Sequence, residues 1–262
     1  MILSGVSRNR LPLSLRASTG CERTRVTLPD GAHTTLHVAT FDAEACSPRV
    51  VAFGTPTPLV RWCREHEVPH AVAGGFSARP DEEPLGLLRI DGRSLETVPF
   101  DPPWGDVRAC VQVVEGRVRI GSRLMLGREP AGDVLQAGPL LVLDGRSAVV
   151  DGEDREGFSA GAHQFDSDIT AGRHPRAALA VTGEHLLAVA CDGRTRDDAG
   201  MTLEELADEL ISLGATDALN LEGGASASLV HGGVLRNRPR DQHGVDLLDG
   251  RAVLTAIVFE AR

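Results

Sequence analysis

Residues 176–224 read RAALAVTGEHLLAVACDGRTRDDAGMTLEELADELISLGATDALNLEGG. Within this stretch the hydrophobic pattern changes from strand to helix and back. Residues 177–182 (AALAVT) and 185–191 (HLLAVAC) flank Gly183-Glu184, the signature of two antiparallel strands joined by a tight turn. Thr202 with Glu205 three positions on forms a capping box. Leu203, Leu206, Leu210 and Leu213 share one helical face, and Gly214 stands where the helix should stop. Residues 217–222 (DALNLE) are a further strand, and it ends in Gly223-Gly224.

A similar order occurs earlier. Residues 34–41 (TTLHVATF) alternate and 49–53 (RVVAF) are a short apolar run, so the two read as a hairpin. Thr57 and then Pro58, at the first helical position, open an amphipathic helix carrying Leu59, Val60 and Cys63; Pro69 stops it. Residues 70–73 (HAVA) are a strand that ends at Gly74-Gly75. The recurrence of hairpin, helix, strand and Gly-Gly predicts an internal duplication with both glycine turns at one cleft. Short strands separated by glycine turns fill residues 85–150. Residues 151–173 are a long polar loop, Gly232-Gly233 marks a hairpin, and 252–259 form a last strand. The predicted class is α+β, with mixed, largely antiparallel sheets and a few packed helices. Residues 1–29 are an N-terminal arm and first strand, and 30–262 one domain.

The 262 residues carry 27 basic and 37 acidic side chains, a formal net charge of −10, which argues against a nucleic-acid partner. Aromatic residues make up 3%, with no Tyr, so platforms for base stacking are scarce. Cys21, Cys46, Cys63, Cys110 and Cys191 are scattered without a CxxC pair, which predicts reduced thiols. No apolar run approaches the roughly 18 residues of a membrane span. Arg8, Asn9, Arg10 and Arg16 break up the opening residues, so no signal peptide is read there and a cytoplasmic protein with no membrane partner is expected. Nothing in the pattern sets an oligomeric state.

Chemistry concentrates in 220–228 (NLEGGASAS). Alternation puts Asn220 and Glu222 on one face, the glycines open the main chain to a ligand, and Ser226 and Ser228 share a face. Asp192-Gly193-Arg194 emerges at another strand end, and Arg176 enters the preceding hairpin; guanidinium forks of this kind suit phosphate oxygens. GxSxG, GxGxxG and Walker loops are absent, so no cofactor is required. The metal question stays open: carboxylates and Asn side chains suit a divalent cation, but no ligand spacing demands one. His66 and His70 are separated by Pro69, and His163 and His174 lie in or near the irregular loop without ligand spacing.

These segments, taken in order, resemble the phosphodiester glycosidase domain family, whose motifs run NGGFF, QAGP, RTAIG, DGR, GMTLxELA, NLDGGGSS and NRPSD. Here they read AGGFS (73–77), QAGP (136–139), RAALA (176–180), DGR (192–194), GMTLEELA (200–207), NLEGGASAS (220–228) and NRPRD (237–241). The chain departs from the family at Ala73, where the family has Asn, and at Glu222, where it has Asp. Ala225 replaces a Gly and Ala227 a Ser.

The resemblance implies hydrolysis of a sugar-1-phosphodiester, of the α-N-acetylglucosamine-1-phosphate type, to free sugar and phosphomonoester. Arg176 and Arg194 would then hold the phosphate, and Asp192 and Glu222 would be the two reacting carboxylates. The substrate, a small molecule or a glycan phosphodiester, would meet Gly74, Gly75, Gln136, Asn220, Gly223, Gly224, Ser226, Ser228, Asn237, Arg238 and Asp241. The departures leave an alternative: a member that binds a phosphorylated sugar without turnover, or one that acts on a glycosylated or nucleotide-sugar metabolite.

Overall fold

The computed structural model describes residues 20–78, 83–150, 153–159 and 170–262; residues 1–19 and His163 lie outside the described residues. The 176–223 segment folds as its periodicities predict. Arg176–Val181 and His185–Cys191 pair antiparallel around the 182–184 turn. Thr202 Oγ1 accepts the Glu205 N–H at 3.1 Å and Glu205 Oε2 accepts the Thr202 N–H at 2.9 Å, so the capping box opens helix Leu203–Ser212. Gly214 takes φ +88° beyond its C-terminus, a conformation that costs glycine nothing. The chain then returns as strand Asp217–Gly223, antiparallel to Arg176–Val181.

These strands form the centre of a seven-stranded sheet ordered Gly20–Thr27, His33–Asp42, His185–Cys191, Arg176–Val181, Asp217–Gly223, Leu140–Leu143 and Arg146–Ser147. A second sheet is ordered Val234–Leu235, Leu229–His231, His70–Ala73, Ala252–Ala261 and Cys46–Pro58. A third is ordered Arg117–Ser122, Ala109–Val114, Asp133–Gln136, Leu88–Ile90 and Arg93–Ser94. Every ladder between these strands is antiparallel, and the fold is α+β and dominated by sheet.

The three sheets meet across one large apolar cluster. It holds Phe41, Leu179, Ala188 and Leu219 from the first sheet, Val72, Ile257 and Phe259 from the second, and Val111 and Leu135 from the third. The outer face of the first sheet is covered by Leu203, Leu206, Ala207 and Leu210 of the long helix. The outer face of the second is covered by Leu59, Val60 and Cys63 of helix Leu59–Glu65. The order through the molecule is thus helix, sheet, core, sheet, helix, the arrangement that buries one stripe of each helix and both faces of the central strands. Among the described residues no helix is long and apolar enough to cross a membrane.

One expectation is corrected. Residues 34–41 and 49–53 are not a hairpin: His33–Asp42 pairs with Gly20–Thr27 and His185–Cys191, whereas Cys46–Pro58 pairs with the C-terminal strand in another sheet. Asp42 Oδ1 accepts the N–H groups of Glu44 and Ala45 at 2.8 and 3.0 Å, which fixes the corner where the chain changes sheets. The expected duplication is therefore not carried by the hairpins. What the two segments have in common is a strand, a helix and a second strand, with one oppositely running strand lying between the two.

Candidate active site

Three strand ends coincide at one end of the central strands of the first sheet. Arg176 lies opposite both Cys191 and Gly223, so the 192–194 turn and the 223–224 turn leave the sheet side by side. The second sheet meets them there. Gly74 O accepts the Glu222 N–H at 2.9 Å, and Ser228 O accepts the Ala73 N–H at 2.9 Å. Gly74 N–H in turn donates to Thr255 O at 2.9 Å, and a β-carbon at position 74 would lie 2.5 Å from Thr255 Oγ1. Only a glycine lets these main chains approach so closely. Both glycine turns thus stand together.

Gly224 takes φ +60°, and its N–H donates to Pro175 O at 2.8 Å. The Arg194 guanidinium lies against it, so that a β-carbon at 224 would come 2.8 Å from Nη2. Arg194 Nη1 donates to Arg240 O at 2.7 Å. Buried Arg240 donates to Asp246 Oδ1 at 2.7 Å and to Gly193 O at 3.1 Å, which clamps the 237–246 loop onto the 192–194 turn. The glycines therefore serve by letting Arg194 approach. The Gly224 amide is already engaged and is not a bare donor for an anion.

The two carboxylates differ. Asp192 is 1% exposed: Oδ1 accepts the Arg238 N–H at 2.6 Å and Oδ2 lies 3.2 Å from His37 Nε2. Both oxygens are occupied, and they tie the 237–241 segment to strand His33–Asp42. Glu222 is half-buried, and its only side-chain hydrogen bond among the described residues comes from Gly223 N–H at 3.3 Å. Loss of water pushes its carboxyl up to about 7, against the pull of that N–H and of Arg251. The Arg194 guanidinium is held below its ordinary range by burial and by Arg251, with Asp241 acting the other way. A carboxyl that exchanges its proton near neutrality in the field of a guanidinium, here Arg251, is suited to acid–base chemistry on an anionic substrate.

A model of the phosphodiester glycosidase family matches residues 66–260, which contain every one of these groups except His37. The chain belongs to the phosphodiester glycosidase family. No curated protein matches the sequence. Among solved structures, the chain is similar to the catalytic domain of zebrafish N-acetylglucosamine-1-phosphodiester α-N-acetylglucosaminidase, there auto-inhibited by its pro-peptide. The two are 18% identical over 94% of this chain and 83% of that one, with a TM-score of 0.71. It is also similar to a hypothetical protein from Synechocystis (20% identity, 92% of this chain and 61% of that one, TM-score 0.63). A Burkholderia pseudomallei protein whose name suggests export is a third (14% identity, 89% and 75%, TM-score 0.65). At these identities the likeness is one of fold.

Within this member of the family the other expected site residues divide. Arg238 is exposed and Asp241 partly exposed, and both belong to the loop clamped by Arg240. Arg176 is 3% exposed, and its guanidinium donates to Met201 O at 2.7 Å and Gly172 O at 3.3 Å, bracing the 170–176 segment. Burial brings its pKa down to about 10. Gln136 accepts the Leu87 N–H and donates to the carbonyls of Gly105 and Arg108, while its own carbonyl lies close to Gly75. Asn237 Oδ1 accepts the Leu229 N–H and its Nδ2 donates to Ala227 O; Ser226 and Ser228 are buried. Asn220 is 2% exposed and donates to Gly138 O at 2.8 Å, away from Glu222. The register shifts by one residue between Asn220 and Gly223, a bulge that cancels the alternation expected to keep Asn220 and Glu222 on one face.

Three of the four family departures are buried, Glu222 being the exception. Ala73 packs in the cluster under helix Leu59–Glu65, Ala227 lies in the main core, and Ala225 is 2% exposed. Two residues of the assembly had no sequence signal, His37 and Arg251; Arg240 lies within the NRPRD motif but is not among the expected site residues. Among the described residues no group of three or more His, Cys, Asp or Glu is arranged to hold a metal ion.

Proposed function

We propose that this protein is a hydrolase that cleaves the bond between the anomeric carbon of a sugar and a phosphodiester, of the α-N-acetylglucosamine-1-phosphate type, releasing sugar and phosphomonoester. The observation that carries the reading is Glu222, a half-buried carboxyl with a pKa of about 7, two residues before the glycine against which Arg194 is seated. Breaking the anomeric C–O bond develops positive charge on the sugar and leaves a phosphomonoester, a leaving group that needs little protonation. Arg194 takes the phosphate oxygens. Glu222 is the reacting carboxylate, with a proton affinity matched to neutral pH. Asp192 is a positioning residue that holds Arg238 N–H and His37. Arg238 and Asp241 orient the substrate at the rim. The buried positions of Ala73, Ala225 and Ala227 support turnover rather than a site stripped of its polar groups.

The test is hydrolysis of an α-N-acetylglucosaminyl 1-(alkyl phosphate) by the purified protein, run beside calorimetry. Turnover that falls at least about a hundredfold in Glu222→Gln supports the reading. Tight binding with no product identifies a sugar-phosphate binding module instead.

A further inference from the structure

We propose that Arg251 is the second guanidinium of the phosphate subsite and sets the preference of this enzyme for an anionic leaving group; this rests on the reading of the site given above. The expected pair was Arg194 with Arg176, but Arg176 is 3% exposed and its guanidinium is turned to the carbonyls of Met201 and Gly172. Arg251 differs in each respect. It is exposed, and its guanidinium makes no hydrogen bond or ion pair among the described residues. Its main chain is anchored in the site, since Arg251 N–H donates to Ala225 O at 2.9 Å, one residue past Gly224.

The flanking chain is anchored on both sides. Asp249 Oδ2 accepts from Arg61 Nε at 2.8 Å, and a β-carbon on Gly250 would strike Ser228 Oγ at 2.9 Å. Strand Ala252–Ala261 starts immediately after. The charge of Arg251 is felt by both Glu222 and Arg194, favourably by the carboxyl and unfavourably by the guanidinium. Arg251 acts on both the Glu222 carboxyl and the Arg194 guanidinium and has no partner of its own among the described residues; two like charges this near each other form a site that an anion with two free oxygens completes. A phosphodiester supplies that anion; a neutral aryl glycoside does not.

Two measurements keep this inference separable from the functional reading. The first is binding, read by calorimetry of the methyl phosphodiester of N-acetylglucosamine 1-phosphate in a Glu222→Gln background. Adding Arg251→Gln should weaken binding at least about tenfold, the loss expected of a charge-assisted contact. Arg251→Lys should recover part of it, and unchanged affinity in Arg251→Gln overturns the proposal. The second is turnover of that diester and of p-nitrophenyl α-N-acetylglucosaminide, each at its own pH optimum. Arg251→Gln should raise KM for the diester about tenfold while leaving the aryl glycoside within about twofold. An equal loss on both substrates overturns the proposal. Wild-type protein that hydrolyses neither substrate overturns the functional reading, and the binding arm still decides the role of Arg251.

Discussion

Gly224 and Arg194 are in contact in a way no other residue at position 224 allows. The glycine is in the left-handed region at φ +60°, and its missing β-carbon is the space in which Arg194 Nη2 lies. Conformation and contact impose the same choice. Gly224→Ala should cost about 1–2 kcal/mol of stability through backbone strain alone. Displacing the guanidinium should lower kcat/KM by about a hundredfold, the scale of a 1 Å misplacement. Thermal unfolding and steady-state kinetics check the two effects separately. Loss of stability with full activity would show that Arg194 is not seated for catalysis.

Glu222 gives the protein a pH dependence with a defined sign. Burial raises its folded-state pKa to about 7, above the roughly 4.3 of an exposed glutamate, so the folded protein favours the protonated form. Its contribution to stability is fully present below about pH 4.3 and is lost as pH rises through about 7. Relative to Glu222→Gln, wild-type melting temperature should therefore fall across that window. The kcat/KM profile should also carry an inflection near 7 that the variant lacks. Parallel stability curves for the two proteins would show that the carboxyl titrates normally.

Asp192 should behave as a brace. Asp192→Ala leaves the Arg238 N–H and the His37 ring without their partner in a buried setting, at a cost of about 1–3 kcal/mol. Hydrogen exchange at the Arg238 amide should accelerate and turnover should drop, while the inflection near pH 7 stays where it is. A profile that loses its inflection would contradict a purely bracing role for Asp192.

The sequence exposes those parts of the protein whose causes are local. The capping box at Thr202 and Glu205, the apolar face of Leu203, Leu206 and Leu210, and the stop at Gly214 lie within thirteen residues of one another, and the helix forms there. The 192–194 and 223–224 segments stand out because polar residues and glycines follow apolar strands, whereas 237–241 reads as a plain polar loop and only the family motif picks it out. The partner of Cys46–Pro58 is another matter. It is the C-terminal strand, about two hundred residues away, and an apolar run carries no information about which distant edge it will join. The bulge before Gly223 is equally invisible, because one extra residue leaves the pattern intact while turning Glu222 away from Asn220. His37 is one residue of an alternating strand, and Arg251 one surface arginine among many. Only the meeting of the two sheets gives either of them a role.

The most direct test is the fate of the water oxygen. The wild-type protein is incubated with an α-N-acetylglucosaminyl 1-(methyl phosphate) in H2¹⁸O, and the products are separated and weighed by mass spectrometry. Attack at the anomeric carbon puts the label in the sugar hydroxyl and none in methyl phosphate, at a rate that collapses in Glu222→Gln. Label found in the phosphate, or an undiminished rate in the variant, would contradict glycosidic cleavage at this site.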